Sequence, residues 1–321
     1  MRTWHRKYAF QFVKALVPFK GRIRRIKRVL SPYSTNSVND VGLLADALDI
    51  IKTLRVHGYA IDGADLLELG SGWLPLIPLL LRCAGAKSVI LTDTIRLMDR
   101  KLLERAAEYV IANIQQVEDA TGVGSNVIRA RLAVALESGT TFDAALAKCG
   151  FRYLVPFRPE ELASQSCDII LSRAVLEHVP ERGLRQIMVE FRRIIRTTGA
   201  MYHFIDHSDH WEHHDKSISR INFLKYGNLT WKILSFPSGS YQNRLRRYQY
   251  IEIITASGFE IASERSSTQP ATIEALKTLP LAKRFRDIPA EELAILTSTI
   301  VAKPKPQNLK TSDRSVMMID K

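Results

Sequence analysis

The stretch HFIDHSDHWEHHD, residues 203–215, places five of the chain's eight histidines beside three aspartates and a glutamate. Imidazole titrates near neutral pH and binds first-row metals, so these residue types at this density can form a general base, a metal site or a solvated loop. His210 and His214 are four apart, as on one helix face, and could hold a metal with Asp206 or Asp215 adding oxygen. The stretch lacks HExxH or any other zinc pattern, and no metal is expected on it.

A second chemical signal is the turn ELGSG, residues 68–72. Gly70 and Gly72 let the backbone turn sharply and approach a ligand closely, and a helix start just beyond would present its free N–H groups there. A dinucleotide site wants a third glycine three positions on, where this chain has Pro75. Glu68 would repel a pyrophosphate but could hold an ammonium group. Asp93, 21 positions after Gly72 in VILTDT, can accept hydrogen bonds from ribose hydroxyls or cap the following helix. A ligand with a cationic amino end and a ribose fits better than a dinucleotide.

The elements that position these groups alternate. VGLLADALDIIKTL has helical apolar spacing. ADLLELGSGWLPLIPLLLRCAGAKSVILTDT then reads as strand, glycine turn, helix and strand, a parallel βαβ unit. Helices are expected over 98–117 and 126–137, with a short one in TFDAALAKCG. FRYLVPF and CDIILS read as strands, followed by a helix with apolar positions Leu184, Ile187, Met188, Phe191 and Ile194 that ends at Gly199. AMYHFID is the next strand, RRYQYIEIITASGFEIASERSS a helix, stop and strand, and LAILTSTIVAKP the last strand. This alternation predicts an open, mostly parallel α/β sheet with helices on both faces, in which ligands sit beyond the carboxyl ends of the strands.

The series LLELGSG, ILTD, CDIILSRAVLEHV and GAMYHFID resembles the class I, Rossmann-like S-adenosylmethionine-dependent methyltransferases over about residues 65–259, with a weaker match near 293–303. The resemblance implies a three-layer sandwich around a seven-stranded sheet with an antiparallel last strand, and S-adenosyl-L-methionine as cofactor. It places Glu68, Gly70, Ser71 and Gly72 at the methionine and turn positions and Asp93 on the ribose, with Ser172, Arg173 and Ala174 along the sulfonium side. Glu177 and His178 follow just beyond, at the border of the site. Trp73 would pack over the methionine end or the helix. The adenine contact has no clear residue, since Glu160 and Glu161 are the only acids offered after the third strand.

Methyl transfer needs alignment more than acid–base chemistry, but an alcohol acceptor benefits from a base. His203 alternates with Met201 and Ile205 and is expected in the core. His207, where the strand leaves the sheet, and His210 are the expected catalytic bases. The insertion that follows, about 207–247, is expected to cover the substrate, with Trp231, Tyr241 and Arg244 as contacts. The expected function is O-methylation of a small molecule, sugar or lipid-linked glycan. N-methylation of another metabolite and a non-catalytic binding module are the alternatives.

The formal charge of +13 is concentrated: residues 1–30 hold ten Lys or Arg and no acid, which leaves +3 for the rest of the chain. That distribution argues against a nucleic-acid partner for the main domain. It suits a basic amphipathic extension, 1–40, that packs on the domain, meets an anionic membrane or touches nucleic acid. The methyltransferase domain is expected over 41–303 and a disordered tail over 304–321. Three scattered cysteines argue for a reducing, cytoplasmic setting, with membrane association left open, and the sequence does not set the oligomeric state.

Overall fold

The computed structural model describes residues 38–213, 215–235 and 241–306. The expected basic extension, His214, part of the expected cover and most of the expected tail lie outside the described residues.

Helix α1 (Val38–Val56) precedes the sheet. Its Leu44, Ala47, Ile51 and Leu54 are buried at helical spacing, the amphipathic pattern read from the sequence. The chain continues through β1 (Asp65–Leu69), α2 (Leu76–Cys83) and β2 (Ser88–Thr92). Helices α3 (Arg100–Ala112), α4 (Ile114–Thr121), α5 (Ser125–Leu136) and α6 (Phe142–Lys148) precede β3 (Phe151–Leu154) and β4 (Cys167–Arg173). Then come α7 (Glu181–Ile194), β5 (Ile195–Asp206), α8 (Asn228–Leu234), α9 (Arg247–Ala256), β6 (Phe259–Ser267), α10 (Pro270–Thr278), α11 (Ala290–Ala294) and β7 (Thr297–Pro304).

The seven strands are ordered β3-β2-β1-β4-β5-β7-β6. β1 to β5 pair in parallel, whereas β7 runs antiparallel to both β5 and β6. Strand order reverses between β1 and β4, so a crevice opens at their carboxyl ends, the usual ligand position in open α/β sheets. Alternation along each strand divides the core. Leu66, Val89, Leu91, Ile169 and Tyr202 face helices α1 to α6, while Leu67, Ile170, Met201 and Ile205 face α7 and α9.

Two boundaries differ from expectation. Gly199 does not stop a helix: it lies inside β5, where a Cβ would stand 2.4 Å from Asp168 O, and the strand register shifts beside it. Only glycine allows β4 and β5 to approach there. The last strand begins at Thr297, because Leu293 and Leu296 instead fill a third, smaller core with Trp211, Ile221, Phe223, Trp231 and Phe285. The cover is therefore built from two segments, the expected insertion after β5 and a second one between β6 and β7.

Candidate functional site

The glycine turn closes β1 onto β2. Gly70 and Gly72 have φ of 72° and 66°, the left-handed region that disfavours side chains. A Cβ on Gly70 would stand 2.6 Å from Val175 Cγ2, so the turn after β4 presses directly on the turn after β1. Ser71 is buried: its N–H donates to Thr92 O at 2.8 Å and its Oγ accepts from Thr92 N at 3.1 Å. Gly72 N donates to Asp93 Oδ2 at 3.2 Å, and Phe157 N, from the loop after β3, donates to Asp93 O at 3.0 Å. Asp93 thus ties the loops after β1, β2 and β3. The cap of the following helix is supplied by Asp99, which accepts from Leu102 N, so Asp93 is not consumed as a cap.

Glu68 is buried with Oε2 lacking a hydrogen-bond partner among the described residues. Burial pushes its carboxyl up to about 7, with the Ser71 hydroxyl opposing and the charge of Asp93 adding to the rise. A buried, partnerless carboxylate oxygen beside a half-exposed aspartate and a positive-φ turn can accept a cationic group. Trp73 packs against the α1–α6 core, with Arg105 over its ring at 5.9 Å.

Across the crevice, the expected sulfonium-side residues divide. Ser172 Oγ bonds His203 Nδ1 at 2.8 Å inside the core. His203 is fully buried, as expected, stacked on Phe191 at 6.3 Å, and burial pushes its pKa down to about 3. The Ser172 hydroxyl is therefore turned away from the crevice. Arg173 pairs with Asp46 of α1 and lies 5.9 Å over Phe204, so its guanidinium braces α1 rather than reaching a ligand as expected. Ala174 takes φ 52° and donates its N–H to Phe204 O at 2.8 Å, which turns Val175 onto Gly70. Glu161, a candidate for the adenine, instead lines a hollow with Asp65 and Ser88 at the amino edge of the sheet. Glu160 is exposed.

The histidine stretch is split more sharply than its composition shows. His207, an expected base, is buried with both ring nitrogens engaged: Nε2 with Ser298 Oγ at 2.7 Å and Nδ1 with Leu245 O at 3.3 Å. Burial, aided by Arg246, lowers its pKa to about 3. It clasps the end of β5 to β7 and the cover, and the base assignment is corrected. His210 remains at the edge, its Nε2 3.4 Å from Asp206 Oδ2. Burial alone would raise Asp206, but His210 and the 2.8 Å bond from Ser208 N hold it below the ordinary carboxylate range.

Two residues from the turn after β4 complete this edge. His178 lies 5.0 Å from His210 between ring centroids, its Nδ1 donating to Tyr241 O at 2.8 Å; burial lowers its pKa and His210 adds to the shift. Glu177 is buried, neither carboxylate oxygen has a partner among the described residues, and burial pushes its pKa to about 8. His213 stacks on His210 at 5.3 Å between ring centroids.

The cover supplies structure more than substrate contacts. Trp231 is buried in the third core and donates Nε1 to Gln242 O at 2.8 Å, so it is not the expected substrate platform. Arg244 is also buried, donating to Phe223 O at 3.1 Å and Tyr226 O at 2.5 Å, 4.8 Å over Trp231. Its expected anion-gripping role is replaced by an internal brace. Tyr241 stays half-buried beside His178. Asn243 clamps the cover to the turn after β4, accepting none of its load from side chains there: Nδ2 donates to Leu176 O at 2.8 Å and Val179 O at 2.9 Å. Gln242 accepts from His210 N at 3.1 Å and donates to Ser208 O at 2.7 Å. Glu177, Asp206, His207 and Arg244 wall a cavity of about 10 Å³, about one water in size.

No family model matches the sequence, and no curated protein matches it. Solved structures do. An S-adenosylmethionine-dependent methyltransferase from Mesorhizobium loti is 15% identical with a TM-score of 0.43, covering 78% of this chain and 95% of that one. One from Methanosarcina mazei is 16% identical with a TM-score of 0.41, covering 78% and 97%. Magnesium protoporphyrin IX methyltransferase from Synechocystis, solved with bound SAH, is 14% identical with a TM-score of 0.44, covering 92% and 99%. The strand order, with β7 alone reversed, is the open, mostly parallel seven-stranded α/β sheet with an antiparallel last strand that the sequence resemblance implies.

Proposed function

We propose that this protein is an S-adenosylmethionine-dependent methyltransferase that methylates a hydroxyl of a small polar acceptor, such as a sugar or lipid-linked glycan. The observation that carries the reading is the buried, partnerless Glu68 oxygen beside Asp93 at the Gly70–Gly72 turn. A cationic amino end satisfies Glu68, and a ribose satisfies the remaining acceptor capacity of Asp93. Bound there, S-adenosylmethionine supplies a methyl group already activated by a sulfonium.

The chain's own residues then have three tasks. Glu68 and Asp93 fix the cofactor's two polar ends, and Val175 against Gly70 shapes the crevice between β1 and β4. The cover, tied down by Gln242 and Asn243, excludes water from the edge. The Asp206, His210, His178 and Glu177 group lies at the same carboxyl edge and can receive the proton that a hydroxyl loses on methylation. Ionisable groups rather than a bare aromatic slot support a hydroxylated acceptor.

Calorimetry with S-adenosylhomocysteine tests the reading. Wild type should bind it, and Asp93→Ala should weaken binding by about tenfold or more, the loss of two hydrogen bonds to hydroxyls. Absence of binding to the wild type would sink the proposal.

A further inference from the structure

Glu177 is the group at this edge that cofactor binding leaves unexplained. It is 2% exposed, and neither of its carboxylate oxygens has a partner among the described residues. One oxygen of Glu177 and one nitrogen each of His178 and His210 lie within 4.8 Å of one another. They come from two segments, the turn after β4 and the loop after β5, so the grouping is a product of the fold.

One of the two imidazoles is already held as a ligating histidine usually is. His178 Nδ1 donates to Tyr241 O at 2.8 Å, which leaves the Nε2 lone pair free of that bond. The His210 backbone N–H donates to Gln242 Oε1 at 3.1 Å, and its Nε2, 3.4 Å from Asp206 Oδ2, has no hydrogen-bond partner among the described residues. A carbonyl partner such as that of His178 sets the ring orientation and raises the basicity of a metal-bound imidazole.

We propose that Glu177, His178 and His210 bind a divalent first-row transition-metal ion, of which Zn²⁺ is the natural probe. Two imidazole nitrogens and a carboxylate oxygen suit zinc, and three protein ligands leave a position open for an acceptor oxygen. Ligands about 2.1 Å from a tetrahedral ion stand about 3.4 Å apart, so the observed atoms, within 4.8 Å of one another, close onto an ion when each side chain moves by about 1 Å. An ion here would also satisfy both a buried carboxylate and two lone pairs at once.

In its catalytic part, this inference rests on the methyltransferase reading and names the acceptor as a metal-ligating hydroxyl. A bound ion would ease loss of the hydroxyl proton, which leaves to solvent water. The new O–C bond then forms as the S–C bond breaks, and the positive sulfonium becomes a neutral thioether. Metal uptake by itself is independent of that chemistry.

The test uses the full chain, purified without a metal-affinity step, stripped with chelator and titrated with Zn²⁺ by calorimetry, with S-adenosylhomocysteine binding measured in parallel. The wild type should take up one Zn²⁺ per chain. His178→Ala, His210→Ala and Glu177→Gln should each weaken uptake by about tenfold to hundredfold or more, while S-adenosylhomocysteine affinity changes less than about twofold. X-ray absorption at the zinc edge of the wild type should show two imidazoles in the first shell, whether or not a variant folds. Less than one bound Zn²⁺, fewer than two imidazoles, or equal affinity in the three folded variants overturns the proposal. Zinc uptake through these ligands without S-adenosylhomocysteine binding supports the metal site and overturns the methyltransferase reading.

Discussion

Replacing Glu68 with glutamine removes a titration while keeping the shape of the side chain, and so isolates the step by which the turn recognises a cation. In the free protein burial raises this carboxyl from 4.5 to about 7. That difference corresponds to about 3 kcal/mol at about 1.4 kcal/mol per pH unit. The unfolded chain ionises first as pH rises, so the folded state loses stability between about pH 4.5 and 7 and carries the full penalty above 7. Glu68→Gln should therefore match the wild type near pH 4.5 and exceed it by up to about 3 kcal/mol near pH 8 in denaturant unfolding without ligand. An ammonium group reverses the balance by favouring the carboxylate. Calorimetry with S-adenosylhomocysteine between about pH 5.5 and 7.5 should then show affinity rising nearly tenfold per pH unit before levelling near 7, with close to one proton released at the acidic end. The window stays below the range, about 7.7 to 8.0, where a ligand α-amino group loses its own charge. Glu68→Gln should flatten the profile and weaken binding at pH 7.5. A profile with the same slope in the variant, or a flat one in the wild type, would refute the assignment of Glu68 to the amino end.

Three further outcomes follow from the packing around the site. Gly70→Ala should cost about 1 to 2 kcal/mol from the left-handed backbone alone and more from the 2.6 Å approach to Val175, measured by denaturant unfolding. Adding Val175→Ala should recover the steric part and leave the backbone part. His207→Gln should change stability rather than the pH dependence of methyl transfer: His207 titrates near 3 when folded and near 6.5 when unfolded, so its contribution is lost as pH falls from 6.5 towards 3. The stability curves of wild type and variant should diverge by about 1.4 kcal/mol per pH unit in that range, and a base-like shift in the rate profile instead would restore His207 as a catalyst. Arg246 is fully buried and donates to the carbonyls of His207, Glu292, Leu293 and Ile295. Arg246→Ala should lower stability by about 3 kcal/mol or more by stranding those carbonyls, and unchanged unfolding would show that water replaces it.

Much of the architecture could be read in the chain because it depends on local periodicity. The apolar runs at β1, β2 and β4 and the stripe Leu184, Met188, Phe191 and Ile194 of α7 each specify an element and its buried face without reference to distant residues. The glycine turn was legible for the same reason, since Gly70, Gly72 and Glu68 lie within five residues and Asp93 follows one helix and one strand later. The second half of the cover was not legible. Residues 268–292 carry no chemical motif, and only the packing of Phe285, Leu293 and Leu296 with Trp211, Phe223 and Trp231 makes this segment part of the cover.

The histidines show where local reading ends. Sequence by itself indicated that residues 203–215 leave a strand at the ligand edge, that His203 alternates into the core, that the cations concentrate in residues 1–30, and that an insertion follows the strand. It could not distinguish His207 from His210, because both are polar, ionisable and close to the strand end. Tertiary structure decided between them: β7 and the cover close over His207 and occupy both of its nitrogens, while the turn after β4 brings Glu177 and His178 to His210. The physical reason is that a side chain's charge and reactivity depend on its surrounding dielectric and partners, and those partners lie about 30 to 90 residues away along the chain.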